Sequence, residues 1–242
     1  MVEQPEPLEP LPEDWDRALA VVAHPDDLEY GGAAAVARWT GQGKQVAYLL
    51  ASRGEAGIDT MEPAEAAEVR TAEQIESARV VGVTDVTFLD HPDGTITYGL
   101  NLRRDIAAAI RRQRPELVVA VNHRDTYGGI FPNMADHRAV GQATIDAVRD
   151  AGNRWVFPEL SEAGLEPWGG VRHVAVAGSP LATHAVDVSD TFDLGVESLR
   201  RHAAYLAALG NPDPAEALRQ RAEATGTRFG GRLAVPFELL GN

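Results

Sequence analysis

The sequence of 242 residues contains no cysteine. That absence removes thiolate nucleophiles, thiolate zinc sites and disulfide frameworks together. Any metal ion would have to be held by histidine and carboxylate. Basic residues are also few: 22 Lys and Arg stand against 36 Asp and Glu, a formal charge of −14. Phosphate binding needs a cationic footprint, so this balance argues against a general affinity for nucleic acid or anionic membrane. No stretch has the uninterrupted apolar length of a membrane span. The acidic, proline-rich start, residues 1–12, has neither the basic opening nor the apolar run of a signal peptide. These absences give a cytoplasmic protein with a flexible N-terminal arm over residues 1–12 and a single domain over residues 13–242. Self-association is left open.

What is present is an ordinary globular composition, 44% hydrophobic and 24% charged. A chain of this length buries roughly three-quarters of its unfolded surface and needs no disulfide or structural metal to fold. Short β-rich runs alternate with helical patterns. Strands are expected over residues 17–24, 45–51, 86–89 and 116–121, and helices over 31–39, 64–81 and from Asn101 to about Arg112. The second helix places Ala67, Thr71, Gln74, Ile75, Ala78 and Val81 on one stripe. Asp136 opens another helix, with Val140, Ala143, Ala147 and Val148 inward. Such alternation implies a doubly wound α/β fold, a mostly parallel sheet with helices on both faces. Its binding crevice lies at the C-terminal strand ends. Beyond it a smaller α+β extension is expected: strands over 171–177 and 185–188, a helix striped by Val196, Leu199, Ala203 and Leu206, a break at Asn211-Pro212-Asp213-Pro214, and a closing strand over 233–240.

The segment His24-Pro25-Asp26-Asp27-Leu28-Glu29-Tyr30-Gly31-Gly32 follows the first of these strands and opens its helix, at the crevice mouth. A hydrolytic zinc site wants three protein ligands, an open position for water and a free carboxylate to take the water's proton. His24 and Asp27, three apart across a proline-stiffened turn, supply two ligands, and Asp26 supplies the base. Taken alone, Asp26 and Asp27 would be read as helix-capping carboxylates. A third ligand must come from a distance, and His137, at the start of the helix after residues 116–121, is the best candidate. Asp136 beside it is suited to orienting a ligand.

These motifs resemble the His-Pro-Asp-Asp-Glu and Asp-His-Arg signatures of the LmbE-like, or PIG-L, N-acetylglucosaminyl de-N-acetylase family. Between them Ser52-Arg53-Gly54-Glu55-Ala56-Gly57, Arg70-Thr71-Ala72-Glu73-Gln74 and Phe88-Leu89-Asp90 with Asp93-Gly94 are similar to recurring family blocks. The resemblance implies a Rossmann-like fold holding one zinc ion through His24, Asp27 and His137, with Asp26 as general base. It also implies Arg70 and Asp93 as contacts to a small amino-sugar substrate, and removal of an N-acetyl group by hydrolysis. Two departures stand out. Leu28 follows Asp27, so the acidic residue of the signature is displaced to Glu29 or absent. Met134 occupies a place where many members carry a histidine that polarises the amide carbonyl or protonates the leaving amine; His123, His184 and His202 are the candidate substitutes. Tyr127-Gly128-Gly129 is a lid-like loop. The alternatives are an amidase for a larger or non-sugar amide, and an inactive ligand-binding homologue. A nucleotide-binding Rossmann domain is rejected, because carboxylates stand where phosphates would sit.

Overall fold

The computed structural model describes residues 6–210 and 213–241. In chain order the elements are β1 (Glu9–Pro10), β2 (Arg17–Val22), α1 (Asp27–Gly31), α2 (Ala33–Gly41), β3 (Gln45–Leu50), α3 (Pro63–Val80), β4 (Asp85–Phe88), α4 (Leu100–Gln113) and β5 (Leu117–Val121). Then come β6 (Thr126–Tyr127), β7 (Phe131–Pro132), α5 (Ala135–Gly152), α6 (Pro158–Glu162), β8 (His173–Ala177), β9 (His184–Asp187), α7 (Phe192–Arg200), α8 (Ala203–Ala208), α9 (Ala215–Gly226) and β10 (Ala234–Gly241).

The main sheet has the order β1-β9-β10-β8-β5-β2-β3-β4. Strands β4, β3, β2, β5 and β8 run parallel, and β10 is antiparallel to both β8 and β9. The inner strands read Ala-Leu-Ala-Val-Val, Val-Ala-Tyr-Leu-Leu and Leu-Val-Val-Ala-Val without polar alternation because helices cover both faces and bury every position. Helices α4 and α5 pack together on one face; α2, α3 and α7 pack together on the other. From β2 the chain moves outward to β3 and β4, then returns to β5 on the opposite side of β2. The loops after β2 and β5 therefore flank a topological switch point, where open α/β sheets bind ligands. Trp39, fully buried, ties α2 to the rest: its ring meets Trp15 edge-on at 5.2 Å and Phe237 at 6.0 Å, and its indole N–H donates to Glu13.

The doubly wound expectation holds, with corrections. The C-terminal extension is present and joins the same sheet through β8, β9 and β10. The N-terminal arm is tied down from Leu8: Leu8 and Leu11 are buried and Glu9–Pro10 pair with β9; residues 1–5 lie outside the described residues. Helix α4 begins at Leu100, one residue before the expected Asn101, and its N-cap is Gly99. The helix at 31–39 is two helices meeting at Gly32, and the stripe of Val196, Leu199, Ala203 and Leu206 is split between α7 and α8 by His202. Asn211 and Pro212 of the proposed break also lie outside the described residues. The largest difference is in α3, whose buried residues are Ala66, Arg70, Gln74, Ser77 and Ala78. Apolar spacing could not find this face because it is mostly polar.

Helix α5 rests directly on the end of β5. A Cβ at Gly141 would lie 2.4 Å from the Val121 carbonyl oxygen and 2.9 Å from the His123 Cβ. Gly141 is one helical turn beyond His137, so this close approach sets where His137 stands. Gly141→Leu is expected to destabilise the protein by about 1–3 kcal/mol or more through overpacking. Thermal unfolding reads this out as a lowered Tm; an unchanged Tm contradicts the packing argument.

Candidate functional site

Strand β2 ends at Val22, and the next residues turn the chain across the sheet edge into α1. The turn is fixed by Asp27, whose Oδ2 accepts the backbone N–H groups of Ala23 (3.0 Å) and His24 (2.9 Å). This aims the Asp27 carboxylate and the His24 ring at one point. From the other side of the switch point, α5 delivers His137. His24 Nδ1 lies 3.2 Å from His137 Nε2, and Asp27 Oδ1 lies 2.9 Å from the same His137 nitrogen. Asp27 Oδ2 stands 3.6 Å from His24 Nδ1. All three side chains are almost wholly buried.

The outer nitrogens of both rings are spoken for. His24 Nε2 faces Asp136 (3.2 Å) and Asp93 (3.0 Å), which as carboxylates can only accept, so this nitrogen carries the proton. His137 Nδ1 meets the Asn133 Oδ1 at 3.2 Å and the Tyr127 hydroxyl. The Asn133 amide is oriented by its NH₂, which donates to the Asn122 and Arg124 carbonyls. With the outer nitrogens so engaged, the inner nitrogens His24 Nδ1 and His137 Nε2 face each other across 3.2 Å beside a carboxylate. Such an arrangement is repulsive unless a cation lies between them. A tetrahedral ion with ligands at about 2.1 Å would hold them roughly 3.4 Å apart, close to the separations found. The donor set fits a divalent metal of the zinc type, with the outer partners fixing ring orientation and tautomer.

A second grouping, His24 with Asp93 and Asp136, shares the His24 ring. There both Asp136 oxygens already accept backbone N–H groups, from Gly94 (2.7 Å) and Ile96 (3.0 Å). That commits Asp136 to orienting His24. Asp93 likewise accepts from Ala56 N (2.8 Å), and Glu55 returns the contact by accepting from Asp93 N (2.9 Å). The loops after β3 and β4 are thereby stapled together against His24.

Asp26 sits beside this cluster with φ 92°, a left-handed conformation that costs a non-glycine residue about 1–3 kcal/mol. The polar face of α3 holds it there. Arg70 Nη2 donates to Asp26 Oδ1 at 2.8 Å, Arg70 Nη1 donates to the Gly54 carbonyl at 2.9 Å, and Gln74 accepts the Asp26 N–H at 3.0 Å. Gln74 in turn donates to Glu29 (2.8 Å), which also accepts from Ser77 (2.7 Å). The Arg70 guanidinium stacks over Tyr205 at 4.0 Å. With its side chain 2% exposed, Arg70 is first of all the partner of Asp26. Burial and the neighbouring Asp27 charge push the Asp26 carboxyl up to about 7, against the pull of Arg70. Burial opposes a charge on His24, yet Asp27, Asp136 and Asp93 outweigh it and raise its pKa to about 12. Asp27 is held well below the usual carboxylate range, since His137 and His24 overcome its burial.

Asp26, Asp27, His24 and His137 open on one cavity of about 930 Å³, which Arg70, Asp93 and Tyr127 also line. None of His123, His184 and His202 is among its lining residues. His123 is half-buried behind β5, His184 bonds Thr183 in β9, and His202 is fully buried 3.8 Å from Glu29. Met134 reaches the cavity mouth, 52% exposed.

Residues 19–148 match the PIG-L family, described as GlcNAc-PI de-N-acetylase. The chain belongs to this family. A diacetylchitobiose deacetylase of Thermococcus kodakarensis is 30% identical over 195 residues, covering 78% of this chain and 70% of the relative. The 1D-myo-inositol 2-acetamido-2-deoxy-alpha-D-glucopyranoside deacetylase of Kineococcus radiotolerans is also 30% identical, over 77% of this chain and 68% of its own. Among solved structures, N,N′-diacetylchitobiose deacetylase from Pyrococcus horikoshii superposes with a TM-score of 0.85 at 23% identity, covering 95% of this chain and 85% of that one, a likeness of fold. The PIG-L match ends within α5, past its midpoint, so it spans both the β2–α1 turn and His137.

Sequence reasoning missed Asn133, Tyr127 and Gln74 as supports. Asn133, four residues before His137 at a helix start, carried a usable spacing signal. Tyr127 carried none, since a hairpin had to bring it back.

Stripped of metal, the protein holds a proton on His24 at neutral pH, and a metal ligand must give up its proton to bind. Metal titration at pH 7 is therefore expected to release about one proton per ion. Calorimetry in buffers of different ionisation enthalpy measures this, and binding without proton release contradicts the assignment of His24 as a ligand.

Proposed function

We propose that this chain is a zinc-dependent N-deacetylase that hydrolyses the acetamide of a small amino-sugar conjugate. The observation that carries the reading is the pairing of a complete His24–Asp27–His137 donor set with a separate, adjacent carboxylate, Asp26, in one cavity. Membership of the PIG-L family and the two amino-sugar deacetylases among its relatives support the substrate class.

Zinc bound at this site supplies a Lewis acid that polarises the acyl carbonyl and acidifies water. The remaining chemistry belongs to the chain. Arg70 occupies Asp26 Oδ1, which leaves Oδ2 as the oxygen to take a proton from the attacking water. Burial raises this carboxyl in the metal-free protein, and in this reading the same oxygen accepts the proton and returns it to the leaving nitrogen. Asp136 and Asp93 hold the His24 ring, and Asn133 holds His137, so the donor set is rigid through the reaction. Met134 supplies no proton, so Asp26 serves as both base and acid in this reading. Among the described residues no helix is long and apolar enough to cross a membrane. A cytoplasmic site of action completes the reading.

Asp26→Asn keeps the hydrogen-bonding shape but removes the base. Metal per chain is expected to stay at its wild-type value while acetate release falls about 10²–10⁴-fold. Acetate release from N-acetylglucosaminyl-inositol and diacetylchitobiose, alongside metal analysis, tests this. Undiminished turnover in the variant would remove Asp26 from the base role, and turnover of simple N-acetylamines as fast as the sugars would remove the sugar assignment.

A further inference from the structure

Asp26 is held from behind by a chain of side chains that ends outside the cavity. Gln74 offers its carbonyl oxygen to the Asp26 N–H because its NH₂ is turned the other way, donating to Glu29 Oε1 at 2.8 Å. That oxygen also accepts the Ser77 hydroxyl at 2.7 Å, so it faces both neighbours as an acceptor. Were Glu29 to swing away, nothing in this chain would distinguish the two ends of the Gln74 amide. The N–H of a residue at φ 92° would then lose its partner. What fixes Glu29 therefore fixes the backbone of Asp26.

The corner between α7 and α8 supplies the fixing. Ser198, on α7, touches Ser77 Oγ at 2.8 Å and donates to the Ser77 carbonyl at 3.1 Å. His202, four residues on, places Nε2 3.8 Å from Glu29 Oε1, both side chains being completely buried. Neither ring nitrogen of His202, nor Glu29 Oε2, has a hydrogen-bond partner among the described residues. The contact on offer is thus an ion pair, and away from solvent it is little screened. Burial works against a charge on the His202 ring, yet Glu29, Asp26 and Glu73 overcome it and raise its pKa. Asp26, Asp27 and Glu29 crowd carboxylates into one turn, and each has a basic partner: Arg70 for the first, His24 and His137 for the second, His202 for the third. The corner is docked on α3 by Ala204 N, which donates to Glu73 at 2.6 Å, and by the Tyr205 ring over Arg70. Ser198 and His202 lie beyond the residues matched to the PIG-L family, 19–148, and neither lines the cavity.

We propose that His202 is a positioning residue for Asp26. From the α7–α8 corner it anchors Glu29, Glu29 orients the Gln74 amide, and the Gln74 carbonyl holds the Asp26 N–H in its left-handed turn. Its effect on turnover rests on Asp26 as the base of the deacetylase reading; the anchoring itself is a property of the folded chain.

The test compares the zinc-loaded full-length protein with two variants. His202→Gln keeps a polar side chain but leaves the Glu29 carboxylate buried and unpaired, which is destabilising. His202→Gln/Glu29→Gln removes that charge too, and the carbonyl of a neutral amide at position 29 can still accept from Gln74 and Ser77. Deuterium exchange of the Asp26 amide, followed by NMR, is expected to be slow in the unmodified protein and about tenfold faster or more in His202→Gln, with the β5 amides unchanged. On diacetylchitobiose, kcat is expected to fall about 10–100-fold while KM and zinc per chain hold. In the double variant the Asp26 amide is expected to return to within about threefold of its original rate. Unchanged exchange at Asp26 in His202→Gln overturns the proposal. So does acceleration spread evenly over β5, a loss that appears in KM instead of kcat, or a double variant whose Asp26 amide stays unprotected. If His202→Gln does not fold, the double variant decides, and its failure to fold or to protect Asp26 overturns the proposal. No acetate release from the unmodified protein would sink the deacetylase reading and leave the exchange result to judge the anchoring.

Discussion

The molecule is organised around two imidazole nitrogens held 3.2 Å apart beside the Asp27 carboxylate. Two ring lone pairs would repel in that geometry, and the acceptors on the far sides leave the inner nitrogens turned toward each other and toward Asp27, where they share a proton in the metal-free protein and would share a metal ion in the loaded one. Keeping them together requires a cation and a scaffold stiff enough to oppose their separation. The parallel sheet supplies the scaffold. It brings residues 113 apart in sequence to the same rim because β2 and β5 are neighbours with divergent connections. Asp136 shows how tightly this is built: one carboxylate binds His24 on one side and the loop amides of Gly94 and Ile96 on the other. The loop after β4 is thus fastened to the site through the group that orients the ligand.

Helix α3 plays the corresponding part for Asp26. Its inner face spends Arg70, Gln74 and Ser77 where a helix on a sheet would ordinarily spend leucine or valine. A buried ion pair such as Arg70–Asp26 is weak evidence for stability, since desolvation offsets much of the attraction. Its value here is positional. It holds a carboxylate in a left-handed backbone conformation, leaves one oxygen free, and keeps the charge close enough to Asp27 for the two to compete. In the metal-free protein the result is a carboxyl raised by burial beside one held ionised by two histidines, a separation that suits the two to different roles.

The parts of this arrangement that depend on local order were readable in the sequence. Continuous apolar runs announced the inner strands, and their alternation with helical segments announced the parallel sheet. The His24–Asp27 turn was legible because a strand, a proline and a helix start constrain it within four residues. His137 followed from the need for a third ligand at the same rim. The polar face of α3 was not legible, because its partners, Asp26 and Glu29, lie some 45 residues away and periodicity weighs only apolar side chains. Nor was the role of Tyr127, which depends on a two-residue ladder, β6–β7, folding back over His137. The split of α7 from α8 was hidden for the opposite reason: the apolar stripe continued across the break at Arg201 and His202. Asp93 looked like a turn residue with a sugar-binding role, and its 3.0 Å contact with His24 was not implied by any spacing.

Whether any amide is cleaved turns on the His24–Asp27–His137 cluster. The cluster is therefore the claim to test first. Crystals of the zinc-soaked protein, measured above and below the zinc absorption edge, should show one anomalous peak about 2.0–2.2 Å from His24 Nδ1, an Asp27 oxygen and His137 Nε2. A peak bound instead by Asp93 and Asp136, or no peak at all, would contradict the account.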